Sequence, residues 1–87
     1  MGWTTIRKAT RGDEQTLQHV AERFCKRHNI EFDSDFSALT AIEYTLDSDR
    51  DNHAQHLRPL WRKIVRRALG HPHAEGIAWG YVGYSRD

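Results

Sequence analysis

The chain has 87 residues, one cysteine and a formal net charge of +1. Its length predicts a single domain over residues 1–87, since so short a chain cannot divide its buried surface between two cores. The lone Cys25 excludes an intrachain disulfide and a cysteine-rich zinc module, and no apolar run reaches the ~18 residues that span a membrane. We therefore expect a soluble cytoplasmic protein with no membrane partner.

The charge is segregated along the sequence. Residues 1–30 hold six Lys and Arg against three acids, residues 31–51 hold seven acids against one Arg, and residues 52–87 hold six Lys and Arg against two acids. The acidic and basic segments either neutralise each other in the fold or present separate patches to partners. Both interpretations stay open from the sequence, and they predict different roles for the same cations.

The first two predicted elements are a strand and a helix. Residues 3–9, WTTIRKA, are rich in Thr around a β-branched centre, which favours a strand. Thr10 followed by Asp13 has the spacing of a capping box, so a helix should begin there and end at Asn29. The apolar residues of this helix follow the spacing of a buried face: Leu17, Val20, Ala21, Phe24 and Cys25.

The middle of the chain has a weaker pattern. Residues 30–32, IEF, could form one short strand. In residues 33–46 the apolar positions share one helical face after an Asp and Ser start, which favours a helix. Ile42, Tyr44 and Leu46 also alternate as in a strand, and a strand there would give a βαββαβ ferredoxin-like sandwich.

The stretch DSDRDNHAQH that follows has three interpretations. Asp47, Asp49 and Asp51 occupy the first ligand positions of a calcium loop, but Arg58 stands where the closing glutamate belongs. Two histidine pairs, His53 with His56 and His71 with His73, could supply zinc ligands, but the helix between the pairs would hold them about 20 Å apart. We therefore interpret the three aspartates and Asn52 as an N-terminal cap of the third helix and expect no metal site.

The third helix has the clearest apolar stripe in the chain. Gly70 and Pro72 predict its C-terminal end. The stripe consists of Leu57, Leu60, Trp61, Ile64, Val65, Ala68 and Leu69. Beyond it, residues 76–84, GIAWGYVGY, are predicted as one terminal strand whose glycines permit a bulge or a close approach of the backbone.

The opposite side of the third helix is basic. Successive residues of a helix are rotated by about 100°, which places five cations on that side with almost no acid among them. These candidate partner-binding residues are Arg58, Arg62, Lys63, Arg66 and Arg67. They suit an acidic protein surface or, as the alternative, a nucleic-acid backbone, unless they pair internally with the acidic middle segment.

The first part of the chain resembles a known enzyme family. Residues 4–17, TTIRKATRGDEQTL, look like the opening of acetyltransferases of the GNAT family, whose first strand runs into a Thr-capped helix. The resemblance implies an acetyl-CoA site in an Arg/Gln-x-x-Gly-x-Gly/Ala loop that opens a helix. The nearest match, Arg67 to Pro72, is predicted to end a helix and has proline in the last position of the motif.

These observations predict an α+β domain in which a small sheet of the N- and C-terminal strands is packed by three helices. We expect a small non-enzymatic interaction module, without catalytic residues or a cofactor, that regulates or inhibits a larger macromolecular assembly by binding a protein partner. Cys25 lies on an apolar stripe, where a buried thiol is expected and not a nucleophile. The second hypothesis is a nucleic-acid-binding regulator, and the third is a truncated acetyltransferase-like enzyme.

Overall fold

The computed structural model describes residues 2–48 and 56–85. Within these ranges the elements, in chain order, are strand β1 (Trp3–Lys8), helix α1 (Arg11–His28), helix α2 (Ala38–Ser48), helix α3 (Leu57–Leu69), strand β2 (Gly76–Ala78) and strand β3 (Tyr81–Ser85). The predicted α+β class, with a small sheet and three helices, is confirmed. The ferredoxin-like alternative is wrong, because the middle segment forms helix α2 and not a strand.

The strands form one antiparallel sheet in the order β1-β3-β2, so the C-terminal strand lies in the centre. β1 pairs with β3 from Trp3 opposite Ser85 to Lys8 opposite Tyr81, and the register shifts around Ile6. An extra residue of this kind is a β-bulge, which bends the strand and increases its twist. The side chain of Ile6 packs against the core.

α1 begins at the capping box that the sequence predicts. The Thr10 hydroxyl accepts a hydrogen bond from the Asp13 N–H (3.1 Å), and the Asp13 carboxylate accepts one from the Thr10 N–H (2.8 Å). Arg7 of β1 donates two further bonds to Asp13 and a third to the Leu69 carbonyl at the end of α3 (3.0 Å). The start of α1 and the end of α3 therefore meet, so these two helices run antiparallel.

The segment between α1 and α2 is not the strand predicted for residues 30–32. Asn29 ends α1, as predicted, and it adopts the left-handed conformation, while the next N–H still bonds to the Cys25 carbonyl (2.9 Å). The Asp33 carboxylate then accepts hydrogen bonds from two N–H groups that follow it (2.9 and 2.7 Å). These local bonds hold the backbone in a turn, and the sheet of the described ranges is formed by β1, β3 and β2 alone.

The helix predicted over residues 33–46 is confirmed, although α2 begins and ends later than expected. The Ser37 hydroxyl accepts a hydrogen bond from the Thr40 N–H (3.3 Å), which is the geometry of an N-terminal cap. Ile42 and Leu46 are buried, as the helical pattern requires, whereas Tyr44 is 64% exposed. Its exposure rules out the alternation that would have placed it with them on one side of a strand.

The start of α3 differs from the predicted one. Its N-cap residue is His56, whose side chain makes no capping hydrogen bond. Asp47 lies in the last turn of α2, so its predicted role as a cap of α3 is wrong. Three further residues of the predicted cap lie outside the described residues: Asp49, Asp51 and Asn52. Pro59 lies in the first turn of α3, where a backbone N–H has no intrahelical partner to lose.

α3 packs on α1 through a narrower stripe than predicted. Trp61 lies at the centre of this stripe, and the centroid of its ring is 5.2 Å from the centroid of the Phe24 ring on α1. The buried residues of α3 follow one another at intervals of one turn: Leu57, Trp61, Val65 and Leu69. Leu60 belongs to the predicted stripe but is 46% exposed, so it lies at the margin of the contact. Gly70 ends the helix in the left-handed conformation, as predicted.

Residues 76–84 form a hairpin, so the prediction of a single strand is wrong. The chain reverses at Trp79 and Gly80, which both have positive φ (54° and 81°), as a two-residue type I′ turn requires. Ala78 and Tyr81 pair across this turn. The glycine in the middle of the segment marks a turn between two strands and not a bulge within one.

A single core joins the helices and the sheet. Its fully enclosed members include Cys25, whose thiol has a raised pKa because burial disfavours the thiolate. The core consists of Leu17, Ala21, Phe24, Cys25, Ala38, Ala41, Ile42, Leu46, Leu57, Trp61, Val65, Leu69, Ala74 and Val82. Every helix of the described ranges is too short or too polar to cross a bilayer.

Candidate interaction groove

A groove of about 800 Å³ runs between α1 and α3, and we call it the α1–α3 groove. Its floor is apolar and consists of Val20, Phe24, Leu60, Ile64 and Ala68. Phe24 is buried beneath the others, whereas Leu60 exposes nearly half of its surface. The groove therefore presents apolar surface that neither helix covers.

Four exposed cations border this floor: Arg23, Arg27, Lys63 and Arg67. Each helix supplies two of them, four residues apart, which is about 6 Å along a helix axis. Thr16 and His28 complete the lining. In the part of the chain that the structure describes, no Asp or Glu lines the groove, so its field is positive along its whole length.

The border cations do not hold the fold together. Within residues 2–48 and 56–85, none of the four side chains takes part in a hydrogen bond or an ion pair. Arg7 behaves differently, because its hydrogen bonds to Asp13 hold the pKa of that carboxyl below its usual range. Like charges four residues apart on a helix repel each other weakly, so an anion bound in the groove would relieve that repulsion.

The structure separates the five cations that the sequence places on one side of α3. Lys63 and Arg67 border the groove, whereas Arg62 is exposed outside it. Arg58 is half-buried and donates to the Leu46 carbonyl (2.6 Å) in the last turns of α2, the negative end of that helix. Arg66 is also half-buried, and its Nε has no hydrogen-bond partner among the described residues. A partner-binding role for these five residues stays a prediction.

Arg23 and Arg27 are the groove residues that sequence reasoning missed. They appear in the sequence only as cations near the end of α1, where they complement the negative end of the helix dipole. Their spacing of four residues beside Val20 was a usable signal, since it places both cations along one margin of the apolar stripe. The missing information was that α3 lies antiparallel beside that margin.

The histidines and acids of the described ranges do not assemble into a metal centre. No group of three or more His, Cys, Asp or Glu side chains gathers there as metal ligands do. His56 and His71 lie at opposite ends of α3, which agrees with the expected separation of the two pairs. His53 and most of the calcium-loop residues lie outside the described ranges.

The segment that matches the acetyl-CoA loop lies at the wrong end of a helix for binding phosphate. Gly70 is the C-cap of α3, where carbonyl oxygens and not N–H groups are left without intrahelical partners. Comparison of the chain with protein-family models, with curated proteins and with solved structures found no match. The α1–α3 groove is therefore interpreted from its own geometry and charge.

Proposed function

We propose that this protein is a small non-enzymatic interaction module that binds an acidic, partly apolar segment of a partner protein in the α1–α3 groove. Through that binding it regulates or inhibits a larger macromolecular assembly. The observation that supports the proposal is the exposed Leu60 on an apolar floor bordered by four unpaired cations of the described chain. Burial of the floor would supply affinity, and the cations would supply orientation and a faster encounter.

An amphipathic helix is the segment that fits these features best. Apolar residues spaced three and four apart would lie on the floor, and acids on both flanks would reach the border cations. Arg23 and Arg67 can each bind a carboxylate through two parallel hydrogen bonds, which fixes its orientation, whereas Lys63 acts as a point charge. Such binding breaks no hydrogen bond or ion pair within the described ranges, because the side chains of the border cations form none there.

Nucleic acid is the competing ligand for the same cations. A phosphate backbone would use the charges, but it gains nothing from an apolar floor. Unpaired bases would require exposed aromatic faces for stacking, and the aromatic residue of the floor, Phe24, is buried. The combination of charge with aliphatic surface therefore favours a protein segment.

The test compares three labelled probes by fluorescence anisotropy on the order of 0.05 M salt, where charge effects are weakly screened. The probes are a designed acidic amphipathic helical peptide, a polyglutamate peptide of equal charge, and single-stranded DNA. We expect the amphipathic peptide to bind most tightly. The Arg23→Glu, Arg67→Glu double variant should weaken that binding at least about 10-fold, because attraction becomes repulsion at two positions.

The matched control is Arg11→Glu with Lys26→Glu, which makes the same change in net charge at exposed positions outside the groove. It should leave peptide binding within about twofold of the unchanged protein, since neither side chain lines the groove or meets a bound peptide directly. Equal loss in both double variants would mean that net charge, and not the groove, governs binding. Preference for DNA over the amphipathic peptide would replace the proposal with the nucleic-acid-binding hypothesis.

A further inference from the structure

A second surface feature lies at one end of the α1–α3 groove. The segment from Ile30 to Phe36 carries three exposed acids: Glu31, Asp33 and Asp35. The Asp33 N–H donates to the Phe36 carbonyl (3.0 Å) while the Asp33 carboxylate accepts from the Phe36 N–H (2.7 Å), which closes a tight turn. We call residues 30–36 the acidic turn.

The acidic turn displays an aromatic side chain at its tip. Phe36 is 39% exposed and contacts the ring of Tyr44 edge-on, with 6.0 Å between centroids. Tyr44 is itself exposed on α2, so the contact between the two rings leaves both of them accessible. An exposed aromatic ring that follows three carboxylates along the chain combines apolar and acidic groups, which are the two kinds of group that the α1–α3 groove would accept.

The two features are continuous along the chain. Arg27 and His28, which line the groove, form the end of α1, and Asn29 then turns the backbone directly into the acidic turn. The Asn29 and Ile30 N–H groups both bond to the Cys25 carbonyl, so the turn starts from a fixed point at the helix end. Because the acidic turn and the α1–α3 groove lie side by side on one molecule, the turn of each of two molecules can enter the groove of the other about a twofold axis.

We propose that two copies of this chain associate as a closed dimer in which the acidic turn of each occupies the α1–α3 groove of the other. Phe36 of one copy lies on the exposed Leu60 of its partner, and the acids of the turn meet the border cations. The chain supplies both halves of this charge complementarity, and its net charge of +1 opposes the encounter only weakly.

The reciprocal arrangement closes on itself, which limits the assembly to two copies. Each copy engages one groove and one turn, so none is left to extend a filament. The contact relies on exposed charges and a few apolar side chains, and it should therefore be weak and sensitive to salt. The functional consequence of the dimer rests on the proposed function. A second copy in the groove competes with the acidic partner segment, so self-association would hold the module inactive at high protein concentration.

Charge exchange between the two surfaces tests the dimer directly. The groove variant is Arg23→Glu with Arg67→Glu, and the turn variant is Glu31→Arg with Asp35→Lys, which leaves the turn-closing Asp33 in place. In sedimentation velocity at low salt, the unchanged protein should approach twice the monomer mass as its concentration rises toward about 1 mM, the range of weak complexes. Each variant alone should remain a monomer, whereas their equimolar mixture should form heterodimers, because the exchanged charges face each other in one contact and the two unchanged surfaces meet in the other.

The control pair, Arg11→Glu with Lys26→Glu, should dimerise as the unchanged protein does. Unchanged protein that stays monomeric, a variant mixture that stays monomeric, or a mass that rises past two copies would each overturn the proposal. The peptide experiment is performed at dilute concentrations where the chain is a monomer, so the two proposals fail separately. If the peptide binds and no dimer forms, only the dimer proposal is overturned. If a dimer forms and the peptide does not bind, only the proposal of a partner segment is overturned.

Discussion

α3 and the β2–β3 hairpin lie next to each other in the sequence, yet they depend on different information. The buried residues of α3 repeat every turn, and its end is set by Gly70, so its own sequence describes it well. The hairpin reverses at Trp79 and Gly80, and its long strand β3 is completed only by pairing with β1 at the other end of the chain. The backbone hydrogen bonds of a helix form within the helix itself. A strand needs a second strand to bond with, and the local sequence pattern does not show which segment that is.

The same contrast exists within α3. Leu60 and Trp61 are neighbours on one apolar stripe, but 46% of Leu60 is exposed against 6% of Trp61. Periodicity identifies the residues that share a helix face, and the neighbouring helix decides which part of that face is covered. The surface that is left uncovered is the one that forms the α1–α3 groove. The following variants test these differences in order of expected effect.

The largest effect is expected in the centre of the α1–α3 contact. Trp61→Ala removes the ring that packs on Phe24 and should lower the free energy of unfolding by about 3–5 kcal/mol, close to the whole stability of a small domain. Leu60→Ala, its neighbour at the margin, should lower it by only about 1 kcal/mol. Urea denaturation followed by circular dichroism measures both. Equal losses would mean that Leu60 is as well packed as Trp61.

A smaller effect is expected in the hairpin, where two paired glycines have opposite surroundings. A Cβ at Gly83 would overlap the Thr4 carbonyl oxygen and lie 2.7 Å from the Trp3 Nε1, so Gly83→Ala should destabilise by about 1–3 kcal/mol. Its cross-strand partner Gly76 has open space around it, and Gly76→Ala should be neutral or stabilise by up to about 1 kcal/mol. Thermal melts of the two variants distinguish these outcomes, and a loss of equal size in both would contradict the predicted close contact.

The third prediction concerns Asp13 of α1. It accepts hydrogen bonds from Arg7 of β1, which also bonds to the end of α3. The hydrogen bonds from Arg7 and Thr10 lower the folded-state pKa of Asp13 below the unfolded value near about 3.9. Its contribution to stability is therefore fully present above that value and is lost as the pH falls from there toward the lowered folded-state pKa. Asp13→Asn should melt lower at pH 7 and should lose less stability on acidification. Melting temperatures between about pH 6 and pH 3 test the prediction, with Glu14→Gln on the same helix turn as control.

The smallest effect is expected at the turn of the hairpin. Trp79 adopts a left-handed conformation that asparagine accepts more readily than a bulky side chain does. Its side chain is 83% exposed, so replacement forfeits little buried area besides the edge contact with Trp3. Trp79→Asn should therefore raise the free energy of unfolding by about 0.5 kcal/mol. A clear loss of stability would show that the contact with Trp3 outweighs the backbone strain.

The sequence by itself determined the parts of this protein whose hydrogen bonds are local. The Thr10 capping box, the left-handed ends at Asn29 and Gly70, the inward position of Cys25 and the α+β class all follow from residues a few positions apart. The incorrect predictions have a common cause. The strand at residues 30–32, the cap at Asp47 and the single strand at 76–84 each required knowledge of what lies beside the segment.

Only the tertiary structure decided which cations lie together on one surface and which bond within the fold. Arg58 was predicted to lie with Lys63 and Arg67 on one surface, but the end of α2 provides a carbonyl for it, and it is half-buried there. Arg23 and Arg27 come beside the other two only because α1 and α3 run antiparallel, as the bonds from Arg7 to both helices require. A helical wheel of one helix gives the direction of each side chain, but it does not give the position of the neighbouring helix. The groove depends on that position, because it lies between α1 and α3.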